Sequence, residues 1–98
     1  MAKFARVISG EADPAALDQG VANINEIVIP RARELPGFLG GYWLVDRERG
    51  KILSVTVFES EEHVRQSDEA AAQIRQDAGG SIGVTFTSVE TWEVAAEA

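Results

Sequence analysis

The chain has 98 residues, a formal net charge of −7 and a pI near 4.6. An acidic chain without a Lys/Arg stripe repels phosphate backbones and anionic lipid headgroups, so neither nucleic acid nor a membrane surface is an expected partner. Cys is absent, which removes disulfides, thiolate metal sites and thiol nucleophiles. The opening MAKFARVISG has no apolar run of signal-peptide or membrane-span length, so the cytoplasm is the expected compartment. Residues 1–98 read as one domain whose core is modest enough that a partner subunit would help.

Lys3 to Ser9 reads as a short strand, with Phe4 and Ile8 on one face and Ala5 and Val7 on the other. Gly10 to Asp13 is a turn. Asp13 is an N-cap candidate, and Pro14, which lacks an N–H, suits the first helical position. The helix that follows carries Leu17, Val21, Ile24 and Val28 at helical spacing. Pro30 is expected to end or kink it, with Arg31 to Glu34 as a further turn before Pro36-Gly37 stops the chain.

Two apolar runs come next, Phe38 to Val45 and Lys51 to Phe58, joined by a charged loop ending at Gly50. They read as a β-hairpin with no wet face. One side of the first run carries Phe38, Gly40, Tyr42 and Leu44, the other Leu39, Gly41, Trp43 and Val45. The second run puts Leu53, Val55 and Val57 on one side and Ile52, Thr56 and Phe58 on the other. An antiparallel sheet exposed on one side alternates apolar with polar, so these strands must be covered on both sides. Ser60 then caps a second helix, although His63 stands where a capping box has Glu or Gln. Val64, Ala71, Ile74 and Ala78 are its apolar stripe and Gly79-Gly80 its stop. A last strand, Val84 to Val94, places Val84, Phe86, Trp92 and Val94 on one face, and Ala95 to Ala98 read as a frayed end.

The order is strand, helix, strand, strand, helix, strand: an α+β, ferredoxin-like βαββαβ arrangement with a four-stranded antiparallel sheet. Two helices cover one face of such a sheet. The other face, carrying either Tyr42 or Trp43, is left as an apolar patch that a second copy would cover across a two-fold axis. The expected assembly is a homodimer in which two protomers form a dimeric α+β barrel.

Leu35-Pro36-Gly37-Phe38, Gly41-Tyr42-Trp43, Asp46-Arg47 through Gly50-Lys51, and Phe58-Glu59-Ser60-Glu61-Glu62 resemble the dimeric α+β barrel superfamily, and within it the antibiotic-biosynthesis-monooxygenase-like group. The element order covers nearly the whole chain, while the local motif is a turn, a hairpin and a helix start. It speaks for fold more than for activity. The resemblance implies a cofactor-independent monooxygenase-like protein acting on a small aromatic or polyketide-like substrate, in a pocket between helices and sheet, with no metal and no organic cofactor. The alternative is a non-enzymatic barrel that binds a small ligand or is stress-associated. A haem-degrading branch resembles the same fold and uses an Asn, a Trp and a haem-ligating His. Here Phe58 stands at the end of the third strand where that Trp would lie, and Ser9 near the Asn position, so haem is the weakest of the three.

No metal-ligand spacing, G-x-G-x-x-G or P-loop occurs. His63 is the one side chain of a type that titrates near neutrality. It is either a solvated first-turn residue or a pocket acid/base at the mouth between helix and sheet. Asn25, Tyr42 and Trp43 are the candidate substrate contacts, each with a plainer alternative. Asn25 fits equally as a residue satisfied by its own surroundings, and the aromatics as sheet core together with Phe58 and Trp92. Tyr42 and Trp43 point to opposite faces, so at most one lines a helix-side pocket. Arg6 and Glu90 lie mid-strand among apolar neighbours and read as a cross-strand pair. Glu61-Glu62 and Arg75-Gln76-Asp77 read as solvated helix surface.

Overall fold

The computed structural model describes residues 2–98. Strand β1 is Phe4–Glu11. A 3-10 turn, Pro14–Ala16, follows, and Asp13 caps it by accepting from the Ala15 N–H at 2.9 Å. The first helical segment runs α1 (Leu17–Asn23), a π-helical turn (Ile24–Val28) and α2 (Ile29–Ala32). Pro30 therefore does not end the helix. Proline has no N–H and its ring crowds the carbonyl four residues back. The helix widens just before it, with the Ile29 N–H bonding Ile24 O five residues back. Such π turns recur at functional sites.

The hairpin is β2 (Phe38–Asp46) and β3 (Lys51–Phe58). Its turn is held by Asp46, whose Oδ1 accepts from the Glu48 and Arg49 N–H groups at 3.1 Å each. Gly50 closes it at φ +68, with its carbonyl accepting from Ala12 N–H at 2.8 Å. The second helical segment is α3 (Glu61–Gln66) and α4 (Asp68–Ala78). It is interrupted at Ser67, whose buried hydroxyl donates to Val64 O at 2.9 Å. A serine bonding back to the preceding turn commonly bends a helix. A short 3-10 turn, Gly80–Ile82, leads into β4 (Thr85–Glu93).

The sheet is antiparallel in the order β2-β3-β1-β4. This is the ferredoxin-like α+β fold expected from the element order. The helical segments pack on one face, where Leu17, Phe58 and Val64 are fully buried. Phe38 and Phe58 meet edge to face with centroids 5.8 Å apart.

Two bulges decide which residues face the helices. The β2–β3 register skips Leu39, pairing Phe38 with Phe58 and Gly40 with Val57. Phe38 is thereby turned to the helix side, opposite to the alternation that put it with Tyr42. The β1–β4 register skips Thr87, pairing Gly10 with Phe86 and Ser9 with Ser88. Phe86 and Trp92 therefore lie on opposite faces, not on the same one. An extra residue in one strand reverses the side-chain alternation beyond it. The outer face carries Val7, Tyr42, Leu44, Leu53, Val55 and Trp92, with Tyr42 75% and Trp92 56% exposed. The expectation that both hairpin faces are apolar is met by the core on one side and this patch on the other.

Candidate functional site

Strand alternation puts Arg6 and Ile8 of β1, Trp43 and Val45 of β2, and Ile52, Ser54 and Thr56 of β3 under the helices. Leu17, Val21, Ile24 and Val28 descend from the first helical segment, and Ala71, Ile74, Arg75 and Ala78 from α4. Between them lies a cavity of about 100 Å³. Its wall is almost wholly apolar. Among the described residues the polar side chains on it are Arg6, Ser54, Thr56 and Arg75, and no carboxylate, imidazole or phenol lines it.

Arg6 is the polar centre of the site. Its side chain is only 3% exposed. Nη2 donates to Asp68 Oδ1 at 2.6 Å, to Val64 O at 2.8 Å and to Ser67 Oγ at 3.0 Å. The Phe58 ring lies 5.3 Å from its Cζ, within cation–π range. The expected Arg6–Glu90 pair does not form. Arg6 is opposite Thr91 on the helix side, and Glu90 is opposite Val7 on the outer face.

Arg75 also departs from expectation. Half-buried, it lines the cavity, and its Nη1 is buried without a hydrogen-bond partner among the described residues. Burial and the neighbouring Arg6 push its guanidinium below the ordinary value, and Asp68 offsets this only in part. The signal for it was in the spacing: Ala71, Ile74, Arg75 and Ala78 fall at i, i+3, i+4 and i+7, so position 75 belongs to the buried stripe. Asp77, on the far side, is exposed and paired with Arg31 at 2.8 Å.

The four residues singled out as site candidates do not converge. Trp43 lines the cavity. Tyr42 stands on the outer face. Asn25 is exposed and donates Nδ2 to Val21 O at 3.0 Å. The buried amide is Asn23, which accepts from Gln19 at 2.8 Å and donates to Ala78 O at 2.8 Å, joining α1 to α4.

His63 is absent from the cavity wall. Its Nδ1 lies 2.7 Å from Ser60 Oγ, which also accepts from the His63 N–H at 3.2 Å. The imidazole thus fills the capping-box position by bonding the cap hydroxyl itself. It also lies where a Gly37 side chain would go, and Gly37 is in the left-handed region at φ +73. The Leu35-Pro36-Gly37-Phe38 turn and the start of α3 are therefore one packed unit, tied further by Glu59 N–H to Gly37 O at 2.9 Å.

Among the described residues no three His, Cys, Asp or Glu side chains gather as metal ligands, and no helix is long and apolar enough to cross a membrane. Haem does not fit the residues present. The lone His stands outside a cavity of about 100 Å³, which is far smaller than a porphyrin.

No protein-family profile matches the chain. Uncharacterized protein Rv2558 of Mycobacterium tuberculosis is 34% identical over 92 residues, covering 94% of this chain and 39% of that protein. Uncharacterized protein Rv2557 of the same organism is 31% identical over 93 residues, covering 95% and 41%. The chain thus spans about two-fifths of the length of these relatives. Among solved structures, a monooxygenase from the gene ActVA-Orf6 of Streptomyces coelicolor, in complex with nanaomycin D, superimposes with a TM-score of 0.71 at 21% identity, covering 99% of this chain and 89% of that one. The haem degrader MhuD of M. tuberculosis gives 0.70 at 20%, covering 97% and 98%. A dimeric ferredoxin-like protein from an uncultured marine organism gives 0.70 at 12%, covering 99% and 97%. The chain has the ferredoxin-like α+β fold that these solved structures share.

Proposed function

We propose that the protein is a homodimeric member of the antibiotic-biosynthesis-monooxygenase-like group that takes a small aromatic molecule into the helix–sheet cavity of each protomer and oxygenates it without metal or organic cofactor. The observation that carries this reading is the cavity itself: an apolar chamber walled by Trp43, with two guanidiniums as its principal polar groups. A dry wall favours an electron-rich ring, and the substrate supplies the electrons. In the keto tautomer of a phenol a ring methylene becomes a carbonyl, giving a quinone, with one dioxygen consumed, one oxygen atom entering the product and the other leaving as water. Positive charge on the wall stabilises the ionised substrate that reacts with dioxygen.

The proton acceptor must come from outside the wall. His63 is the candidate, and Asn25 and Tyr42 could meet a ligand only at its mouth or across the dimer. Oxygen uptake with an activated quinol, above its autoxidation and with one atom of labelled dioxygen appearing in the product, tests the reading. Trp43→Ala should abolish the excess, and His63→Gln should lower turnover without changing ligand affinity if the imidazole takes the proton. Uptake no greater than autoxidation across a panel of one-ring quinols would remove oxygenation from the account.

A second reading has its own support. No acid, imidazole or phenol lines the cavity, so a barrel that binds its ligand without transforming it is consistent with the same geometry. Ligand affinity with no oxygen uptake distinguishes it. The dimer rests on the outer face, where Tyr42, Leu44 and Trp92 are exposed together, and on the dimeric state of a structural neighbour. Patches of this kind are normally covered by a partner, and a small core gains from one.

A further inference from the structure

We infer that the cavity ligand is an anion, a one-ring aromatic carboxylate or phenolate whose charged group sits against Arg75 and Arg6. This deepens the reading of the cavity as the ligand site and rests on it. Two guanidiniums, Arg6 and Arg75, share one cavity wall, and that wall bears no carboxylate. The one acid bonded to either is Asp68, which takes Arg6 and is itself 61% exposed. One positive charge, on the half-buried Arg75, is therefore left over at the cavity of an otherwise acidic chain of net charge −7.

The surplus is at Arg75, whose Nη1 is buried with no partner. Buried donors are satisfied in nearly all folded proteins, and one that is not points to a missing water, ion or ligand. A guanidinium is the side chain best matched to a planar carboxylate, which it holds by two parallel bonds. The rest of the wall suits a ring rather than a phosphate or sugar. Trp43, Ile8, Val45 and Ile74 offer no further charge and few hydrogen bonds. Size sets the limit. Benzene occupies a cavity of about 150 Å³ against about 100 Å³ here. One ring is therefore the upper limit, and it enters only if the wall gives way slightly.

The test is calorimetric titration of the full chain with benzoate and with benzamide, which match in shape and differ in charge. Benzoate should bind at least tenfold more tightly. Arg75→Met should erase that preference. Arg75→Lys, which keeps the charge without the fork, should fall between and guards against a folding defect in the first variant. Equal affinity for acid and amide, or a benzoate preference that survives in Arg75→Met, overturns the inference and leaves the cavity reading standing. Binding of neither overturns both. Selective benzoate binding with no oxygen uptake from quinols removes only the oxygenase reading.

Discussion

Removing the exposed acid Asp68 should harm the fold more than removing the buried cation it serves. Arg6 is 3% exposed and Asp68 61%. Asp68→Ala strands a buried guanidinium next to Arg75, with only Val64 O and Ser67 Oγ still accepting from it. Breaking a buried pair in this way costs about 3–5 kcal/mol, and the exposure of the acid sets the figure at about 3 kcal/mol. Arg6→Met removes the charge itself. Asp68 returns to water, Val64 O keeps the Ser67 hydroxyl as a donor at 2.9 Å, and the repulsion on Arg75 disappears. The loss is then about 1 kcal/mol of charge-assisted bonding.

In thermal melts at one fixed protein concentration, a domain of this size shifts by about 4–8 °C per kcal/mol. Arg6→Met should lower the midpoint by about 4–8 °C and Asp68→Ala by about 12–24 °C. The double variant should come close to Arg6→Met alone, because the cation bonded to Asp68 is gone and only its weaker pull on Arg75 remains. Equal losses, the reverse order, or simple additivity would refute the electrostatic picture of the cavity floor.

Tyr42→Glu, which puts a charge on the outer face, should convert a sedimenting dimer to monomer or aggregate. A wild-type chain that sediments as a stable monomer at micromolar concentration contradicts the dimer. Haemin should give no sharp Soret band, and a band that vanishes in His63→Ala would reverse that expectation. His63→Ala should cost about 1 kcal/mol through the lost Ser60 contact and leave benzoate affinity unchanged. A weakened affinity would bring the imidazole into the site. Hydrogen bonds from Arg31 and Gln73 hold the Asp77 carboxyl below its ordinary range. Its folded value is the lower one, so its contribution is full above the ordinary carboxylate pKa of about 4 and is lost as pH falls through the folded value. Asp77→Asn should therefore flatten the acid limb of the stability profile. Because the site is exposed, added salt should shrink the difference. An unchanged limb at low salt would count against the pair.

The hairpin was legible because its periodicity was abnormal. Strands apolar on both sides required two covers, and the structure supplies the helices for Trp43 and leaves Tyr42 bare. The element order followed from the same reading. The bulges at Leu39 and Thr87 were not legible, because one inserted residue leaves no mark in a run of strand-forming side chains. Pro30 left ending and kinking open for a different reason: a π turn accommodates the missing donor, and helical spacing alone does not reveal it. Arg75 was visible and missed. Its charge argued for solvent, while its spacing with Ala71, Ile74 and Ala78 placed it in the core stripe. Its unpaired Nη1 could come only from coordinates, since pairing depends on contacts from distant elements. His63 stood out for its chemistry, but the residue that explains its position is Gly37, twenty-six places earlier.

The two Trp indole N–H groups report on the two faces of the sheet, Trp43 from the cavity wall and Trp92 from the outer face. A ¹H–¹⁵N NMR titration of the wild-type chain with benzoate therefore tests whether the cavity is the ligand site. The Trp43 indole signal and the amides of Ile8, Ile74 and Arg75 should move while the Trp92 indole stays still. Movement of the Trp92 indole alone, or no movement at saturating benzoate, would contradict it.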